Sequence, residues 1–278
     1  MRMHPQTDRH RIAILGGGES GVGAALLAQA VGHDVFVSDA GVLGDRARTE
    51  LEEAGISFEE GGHSPDRILA CAEVIKSPGI PHETDIVRTV RAAGLHVISE
   101  VEFAARHTDA RIVAITGSNG KTTTTALIHH VLRAAGIDAV LAGNIGTSFA
   151  REVARCEPDV FVVEVSSFQL DDVHDFKPHI ALLLNITPDH LDRYQNDFSL
   201  YAAAKFRIGM NQDADDLFLF GADSDAVTDR LDRFPLGGRR IPFGATAARD
   251  GDGGHLTNDT LHIRFKKKTS PCLSSISA

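Results

Sequence analysis

The feature that most narrows what this chain can fold into is a unit that occurs twice: a short apolar run, a glycine loop, then a helical pattern. The first copy is "RIAIL", Arg11 to Leu15, followed by "GGGESGVG" and an Ala/Leu-rich helix. The second is "RIVAIT", Arg111 to Thr116, followed by "GSNGK" and the helical pattern of "TALIHHVLRAAG". Further apolar runs lie after each copy: "DVFVSD" and "AEVIKSPG" after the first, then "IDAVLAGN", "DVFVVEV", "IALLLNI" and "DLFLFG" after the second. Strands separated by helices predict parallel, doubly wound sheets joined by right-handed crossovers. The helix "EVEFAARH" closes the first series, so a boundary falls near Ala105 to Asp109.

Composition excludes several classes of function. At 278 residues, 42% of them hydrophobic and 24% charged, the chain is long enough for two ordinary globular domains. A net charge of −10 argues against a nucleic-acid partner, which needs a basic face. Any phosphorylated ligand must therefore be held by local backbone dipoles and a few cations. No apolar run reaches membrane length, and the amino end, "MRMHPQTDRHR", lacks the apolar core of a secretory signal. A cytoplasmic protein without membrane contact is expected. Cys71, Cys156 and Cys272 have no metal-ligand spacing, and an odd, scattered set fits reduced thiols. The fourteen histidines are dispersed.

Gly16, Gly18 and Gly21 form G-x-G-x-x-G between a strand and a helix, and Asp39 ends the next strand. Such glycines let the backbone approach a pyrophosphate at the helix amino end, and the acid can bond a ribose hydroxyl. A tight turn without a ligand is the bland alternative, and the motif does not say which dinucleotide or nucleotide-sugar binds. Ser77 and Gly79 in "KSPGI" would sit at the crevice edge, although a Pro-Gly turn explains them as well. In "TGSNGKTT", Gly117 and Gly120 bracket a loop whose N–H groups would face phosphate. Lys121 adds a mobile cation, and Thr122 or Thr123 can ligate Mg²⁺. The usual phosphate loop wants another glycine where Ile115 stands. Glu164, near the end of a strand among Val and Phe, suits Mg²⁺ beside ATP phosphates, against an edge-strand glutamate paired with a surface lysine. In "NITPDHLDRY", Thr187 and Pro188 read as the cap and first residue of a helix, leaving Asp189, His190 and Asp192 at the crevice mouth. His190 stays open between ligand and exposed histidine. Lys205, flanked by alanines, reads on sequence alone as a solvated helix lysine, and Asn144 could be a turn residue.

Taken in order, "TGSNGKTT", "GNIG", "EVSSFQL" and "NITPDHLDRY" resemble the Mur ligase family, and "EVSSFQL" with "SPGI" and "DHLDRY" most resembles its D-glutamate-adding branch. The resemblance spans Arg11 to about Phe265. It implies an α/β fold with an N-terminal Rossmann-like parallel-sheet domain for the UDP-substrate over residues 1–107. A P-loop-type ATP-binding α/β central domain would follow over 108–265. It also implies ATP-dependent joining of D-glutamate to UDP-N-acetylmuramoyl-L-alanine through an acyl phosphate, by a monomer using ATP and Mg²⁺. By the same resemblance, Gly117, Ser118, Asn119, Gly120, Lys121, Thr122 and Thr123 would hold the ATP phosphates. Gly18, Glu19, Ser20, Asp39, Ser77, Gly79 and Asn144 would serve the UDP-substrate. Thr122, Glu164, His190 and a carbamylated Lys205 would serve the metal, with Lys121, Glu164, His190 and Lys205 as the catalytic set. Ala40-Gly41 depart from the polar residues the family often has there. The tail 266–278, "KKKTSPCLSSISA", is expected to be irregular, and the family's carboxyl-terminal domain has no counterpart in it. A truncated or frameshifted reading frame would account for this. The rival readings are a nicotinamide-dependent oxidoreductase, a non-catalytic nucleotide-binding fragment, and a folylpolyglutamate synthase-like ligase.

Overall fold

The computed structural model describes residues 10–245, 252–257 and 260–265, so the stretch 266–278 lies outside the described residues. A five-stranded sheet comes first, made of β1 (Arg11–Leu15), β2 (Asp34–Ser38), β3 (Ser57–Glu59), β4 (Glu73–Lys76) and β5 (His96–Ser99). Its order is β3-β2-β1-β4-β5, every pair parallel. The helices between its strands are α1 (Glu19–Ala30), α2 (Asp45–Glu53), α3 (Pro65–Leu69) and α4 (Asp85–Ala92), and α5 (Glu100–Ala105) leads out.

The second sheet holds β6 (Arg111–Thr116), β7 (Ala139–Gly143), β8 (Val160–Glu164), β9 (Ile180–Leu183), β10 (Leu217–Gly221), β11 (Arg239–Gly244), β12 (Gly253–Thr257) and β13 (Thr260–Arg264). Their order is β13-β12-β11-β10-β9-β6-β8-β7. Pairing is parallel except for the β12–β13 hairpin. With it come α6 (Lys121–Ala134), α7 (Phe149–Arg155), α8 (Ser167–Leu170), α9 (Phe198–Phe206) and α10 (Asp225–Thr228). The expected two-sheet α/β architecture is the one found.

Parallel strands buried on both faces must be apolar on both, which is why the two opening runs do not alternate with polar residues. In β6, Ile112 and Ala114 face a core shared with α7, α8 and α9, while Val113 and Ile115 face the opposite side, toward Ile128 and Leu132 of α6. The first of these cores is continuous with one face of the first sheet, through Ile12, Ile14 and the small residues of α1. Close contact between α1 and α7 requires those small residues. A Cβ on Gly23 would lie 2.0 Å from Ser148 Oγ.

Crossover handedness explains an asymmetry in the second sheet. The chain runs outward once, from β6 to β7, and then steps back through β8, β9, β10 and β11. Right-handed crossovers put the outgoing helix on one face and the returning helices on the other. Among the described residues, α6 is therefore the helix that covers the face of Val113 and Ile115. Beyond it lies an apolar trough of about 920 Å³, lined by Leu127, Leu219, Ile241, Phe243, Leu261 and Ile263 among others.

Candidate functional site

The second glycine loop sits where β6 turns into α6, at the carboxyl edge of the sheet. Gly120 is the N-cap at φ 81°, a left-handed conformation that glycine adopts without strain. The N–H groups of the first turn from Lys121 have no intrahelical acceptor and point outward with the positive end of the helix dipole. The loop is braced from the segment after β9. Ser118 N–H donates to the Asn185 carbonyl at 3.0 Å, and Asn119 N–H donates to Asn185 Oδ1 at 2.9 Å. Ser118 Oγ lies 2.9 Å from Tyr201 Oη and donates to the Thr187 carbonyl.

This bracing corrects the helix expected at Thr187-Pro188. Thr187 N–H donates to Ser118 Oγ, its carbonyl accepts from that hydroxyl, and its Oγ1 accepts from Asn119 Nδ2. With all three polar groups held by the loop, no helix starts there. A 3₁₀ turn forms only at Leu191–Tyr194.

Two cations meet at one carbonyl. Lys121 Nζ donates to Gly117 O at 2.9 Å and Ser118 O at 3.1 Å, and Lys205 Nζ donates to Gly117 O at 2.8 Å. Lys205 is 2% exposed, which overturns its reading as a solvated helix lysine: α9 turns that side chain inward beside the Tyr201 ring. Burial, aided by the Lys121 charge, pushes its amine down to about 7. Glu164 ends β8, which lies between β6 and β7, so it is no edge-strand residue. Its carboxylate is buried and accepts from Thr122 Oγ1 at 2.8 Å and Asn144 Nδ2 at 3.0 Å. Thr123 is exposed in the first turn of α6. His190 stands apart from this group. Its side chain is 58% exposed, 3.6 Å from Asp189 Oδ2, with its ring against Phe168. The structure thus unites Thr122, Asn144 and Glu164, and separately Lys121 and Lys205, while His190 lies at the rim.

Among the described residues, no group of three His, Cys, Asp or Glu could hold a metal. The oxygens of Glu164 and Thr122 nevertheless suit a hard cation that takes its other ligands from phosphate and water, as Mg²⁺ does.

The first glycine loop is equally tight. Gly16 sits at φ 89°, and a Cβ on Gly21 would lie 1.8 Å from the Gly16 carbonyl. Asp39 Oδ2 accepts from Gly17 N–H at 2.6 Å and Oδ1 accepts from Gly41 N–H at 2.8 Å, so the carboxylate shapes the loop it borders. Gly18 is exposed and Ser20 partly so. Ser77 Oγ donates to Gly16 O at 3.3 Å, and Gly79 is exposed beside it. Glu19 also bonds across to the second sheet. Both of its oxygens accept from Arg151 of α7, at 2.7 and 2.9 Å, and Ser148 N–H adds a third bond, so it joins the two sheets. These bonds outweigh the opposing effect of burial and hold the Glu19 carboxyl below its usual range.

Sequence reasoning missed Arg151, Asn185, Tyr201 and a buried ion pair between Lys76 and Asp172. Only Lys76 carried a visible signal, as a charge closing the apolar strand "EVIK".

Comparison with known proteins adds the family. A family model for the Mur ligase middle domain matches residues 115–257, and one for the MurD N-terminal domain matches residues 11–86. This chain belongs to the Mur ligase family. Among curated relatives, the UDP-N-acetylmuramoylalanine--D-glutamate ligase of Bacteroides fragilis is 49% identical over 235 residues, covering 84% of this chain and 53% of the relative. The protein of that name from Porphyromonas gingivalis is 50% identical over 242 residues, covering 87% and 54%. The chain spans about half the length of the curated relatives it matches. Solved Mur ligases share the fold. The UDP-N-acetylmuramate:L-alanyl-gamma-D-glutamyl-meso-diaminopimelate ligase of Neisseria meningitides superposes with a TM-score of 0.60 at 21% identity, covering 88% of this chain and 83% of that one. A murein peptide ligase from Psychrobacter arcticus gives 0.57 at 21% identity, covering 93% and 59%.

Proposed function

We propose that this chain carries the UDP-substrate and ATP sites of a ligase that joins D-glutamate to UDP-N-acetylmuramoyl-L-alanine in peptidoglycan synthesis. The observation that carries the reading is that Lys121 and Lys205 meet at the Gly117 carbonyl of the second glycine loop, while Glu164 accepts from Thr122 in the first turn of the helix that follows it. A nicotinamide-dependent oxidoreductase would have no use for that second loop.

The roles follow from position. In this reading residues 1–107 bind the UDP-sugar and 108–265 bind ATP. Loop amides from Ser118 to Thr123 and the α6 dipole hold the phosphates, as helix amino ends hold anions generally. Lys121 now reaches two loop carbonyls and swings from them to the phosphate oxygens. Thr122 and Glu164 would hold Mg²⁺, which supplies charge neutralisation at the phosphates when bound. Asn144 keeps the Glu164 carboxylate oriented. Lys205 becomes an oxygen ligand only as a carbamate, and its near-neutral amine is the form that can add CO₂. His190 would reach the metal by moving in from the rim. Attack of the D-glutamate amine on the acyl phosphate then needs mainly positioning. In this reading the chain binds UDP-N-acetylmuramoyl-L-alanine in the cytoplasm.

Calorimetric titration with UDP-N-acetylmuramoyl-L-alanine, with NADH in parallel, tests the reading. Saturable binding of the sugar nucleotide, weakened by Asp39→Ala, is the expected result. Binding of NADH alone would overturn it.

A further inference from the structure

The turn Ser77–Ile80 follows β4 and lies against the first glycine loop, where Ser77 N–H donates to Leu15 O and Ser77 Oγ donates to Gly16 O. Its four consecutive carbonyls are all held by two cations. Lys76 Nζ donates to Ser77 O at 3.4 Å and to Ile80 O at 3.0 Å. Arg193, whose guanidinium lies 4.5 Å from the Phe168 ring centroid, donates to Pro78 O and Gly79 O at 3.3 and 3.4 Å. Lys76 is in turn fixed by Asp172, just past α8 in the second-sheet half, with Nζ 3.0 Å from Oδ2 and both side chains 1% exposed. His82 Nε2 at 3.1 Å and Arg91 at 2.7 Å complete the surroundings of that carboxylate.

A buried lysine paired with a carboxylate is a poor device for stability alone, because apolar replacements of such pairs are often neutral or stabilising. What the pair provides here is geometry: an ammonium with three donors reaches two carbonyls three residues apart and a carboxylate from the other half of the molecule. Arg193 reaches the intervening two carbonyls from that same half. With its carbonyls held by the cations, the turn keeps Ser77 against the first glycine loop.

We propose that Lys76, anchored on Asp172 and working with Arg193, is a positioning residue that clamps the Ser77–Ile80 turn in the shape that receives the sugar nucleotide. The clamp itself stands on geometry, and its link to UDP-N-acetylmuramoyl-L-alanine rests on the function proposed above.

The test uses the full chain with Lys76→Met and Arg193→Met. In Lys76→Met, Asp172 keeps His82 and Arg91, so no buried carboxylate is orphaned. Arg193 is partly exposed, so its replacement carries the test if the first variant fails to fold. Two readouts separate the clamp from the substrate reading. Amide exchange at Ile80, whose N–H donates to Ser77 O at 3.1 Å, measured without ligand, should rise at least tenfold in either variant. Affinity for UDP-N-acetylmuramoyl-L-alanine should fall about tenfold, while affinity for a non-hydrolysable ATP analogue stays within twofold. Unchanged exchange in both folded variants would overturn the clamp even if the wild type binds the sugar nucleotide. Equal losses of both ligands would also overturn it, since that is what general destabilisation does. Raised exchange with no sugar-nucleotide binding by the wild type would leave the clamp standing and sink the substrate reading.

Discussion

Replacing Lys205 is the sharpest test of how the second glycine loop works. The side chain is 2% exposed, and its amine is held down at about 7 instead of the ordinary 10.5 by burial and the Lys121 charge. At pH 7.5 an ordinary lysine amine is neutral about once in a thousand, whereas one titrating at 7 is neutral roughly three-quarters of the time. The reactive fraction is therefore raised by a factor on the order of a thousand, and only the neutral amine adds CO₂. A carbamate signal should appear under ¹³C-enriched bicarbonate at neutral pH in the wild type and be absent in Lys205→Met. Stability offers a second readout in CO₂-free buffer. A lysine whose folded pKa is depressed binds fewer protons folded than unfolded between about 7 and 10.5, so its unfavourable contribution is full below 7 and fades as pH rises through that window. A shift of this size corresponds to at most roughly 5 kcal/mol. Wild-type stability should rise with pH across the window relative to Lys205→Met, and the variant should be the more stable at pH 6. A carbamate signal equally strong in the variant, or parallel stability profiles, would refute the reasoning.

Three other outcomes follow from the geometry. Glu100, 1% exposed and bonded by Ala150 N–H, has its carboxyl raised from 4.5 to about 7, chiefly by burial. It therefore favours the fold fully below pH 4.5 and loses that contribution as pH rises through 7, by up to roughly 3 kcal/mol. Denaturant titrations of Glu100→Gln should show a flatter pH dependence across that window, and an unchanged slope would count against it. Thr122→Val removes the bond to Glu164 and, in the function proposed above, a hydroxyl that would hold Mg²⁺, so Mg²⁺-dependent ATP affinity should drop by about ten- to a hundredfold with sugar-nucleotide affinity intact. Calorimetry decides, and equal loss of both ligands would point to misfolding. Finally, the apolar trough beside α6 should bind a hydrophobic dye, as exposed apolar patches do. Charging its rim with Ile263→Lys, at a site 74% exposed, should reduce dye fluorescence while shifting stability by no more than about 0.5 kcal/mol.

The sequence made local relations legible and hid distant ones, and the site shows why. The glycine loops were readable because each is short, sits between a strand and a helix, and depends on residues next to one another. Glu164 was readable because a carboxylate among Val and Phe at a strand end is costly to bury unless a cation or hydrogen-bond donors meet it there. Lys205 defeated the same reasoning because its neighbours in the chain are alanines, and its burial is decided by Gly117, 88 residues away. The bond from Glu19 to Arg151 was hidden for the same reason, since its partner lies 132 residues on in α7. Thr187 had a complete local account as a helix cap, and the account failed because Ser118 and Asn119 took every polar group that a helix start would need. The misreadings share one cause, a polar group whose partner lies in a different element. Lys76 obeys the same logic from the other direction. A charge at the end of an apolar strand cannot be solvated there, so its presence already implied a buried counter-charge. What no local pattern could supply was which carboxylate answers it, and the answer, Asp172, comes from the other half of the molecule. The shape of the Ser77–Ile80 turn is therefore set jointly by both halves, and perturbing the second-sheet side at Asp172 or Arg193 reaches the first glycine loop without touching it.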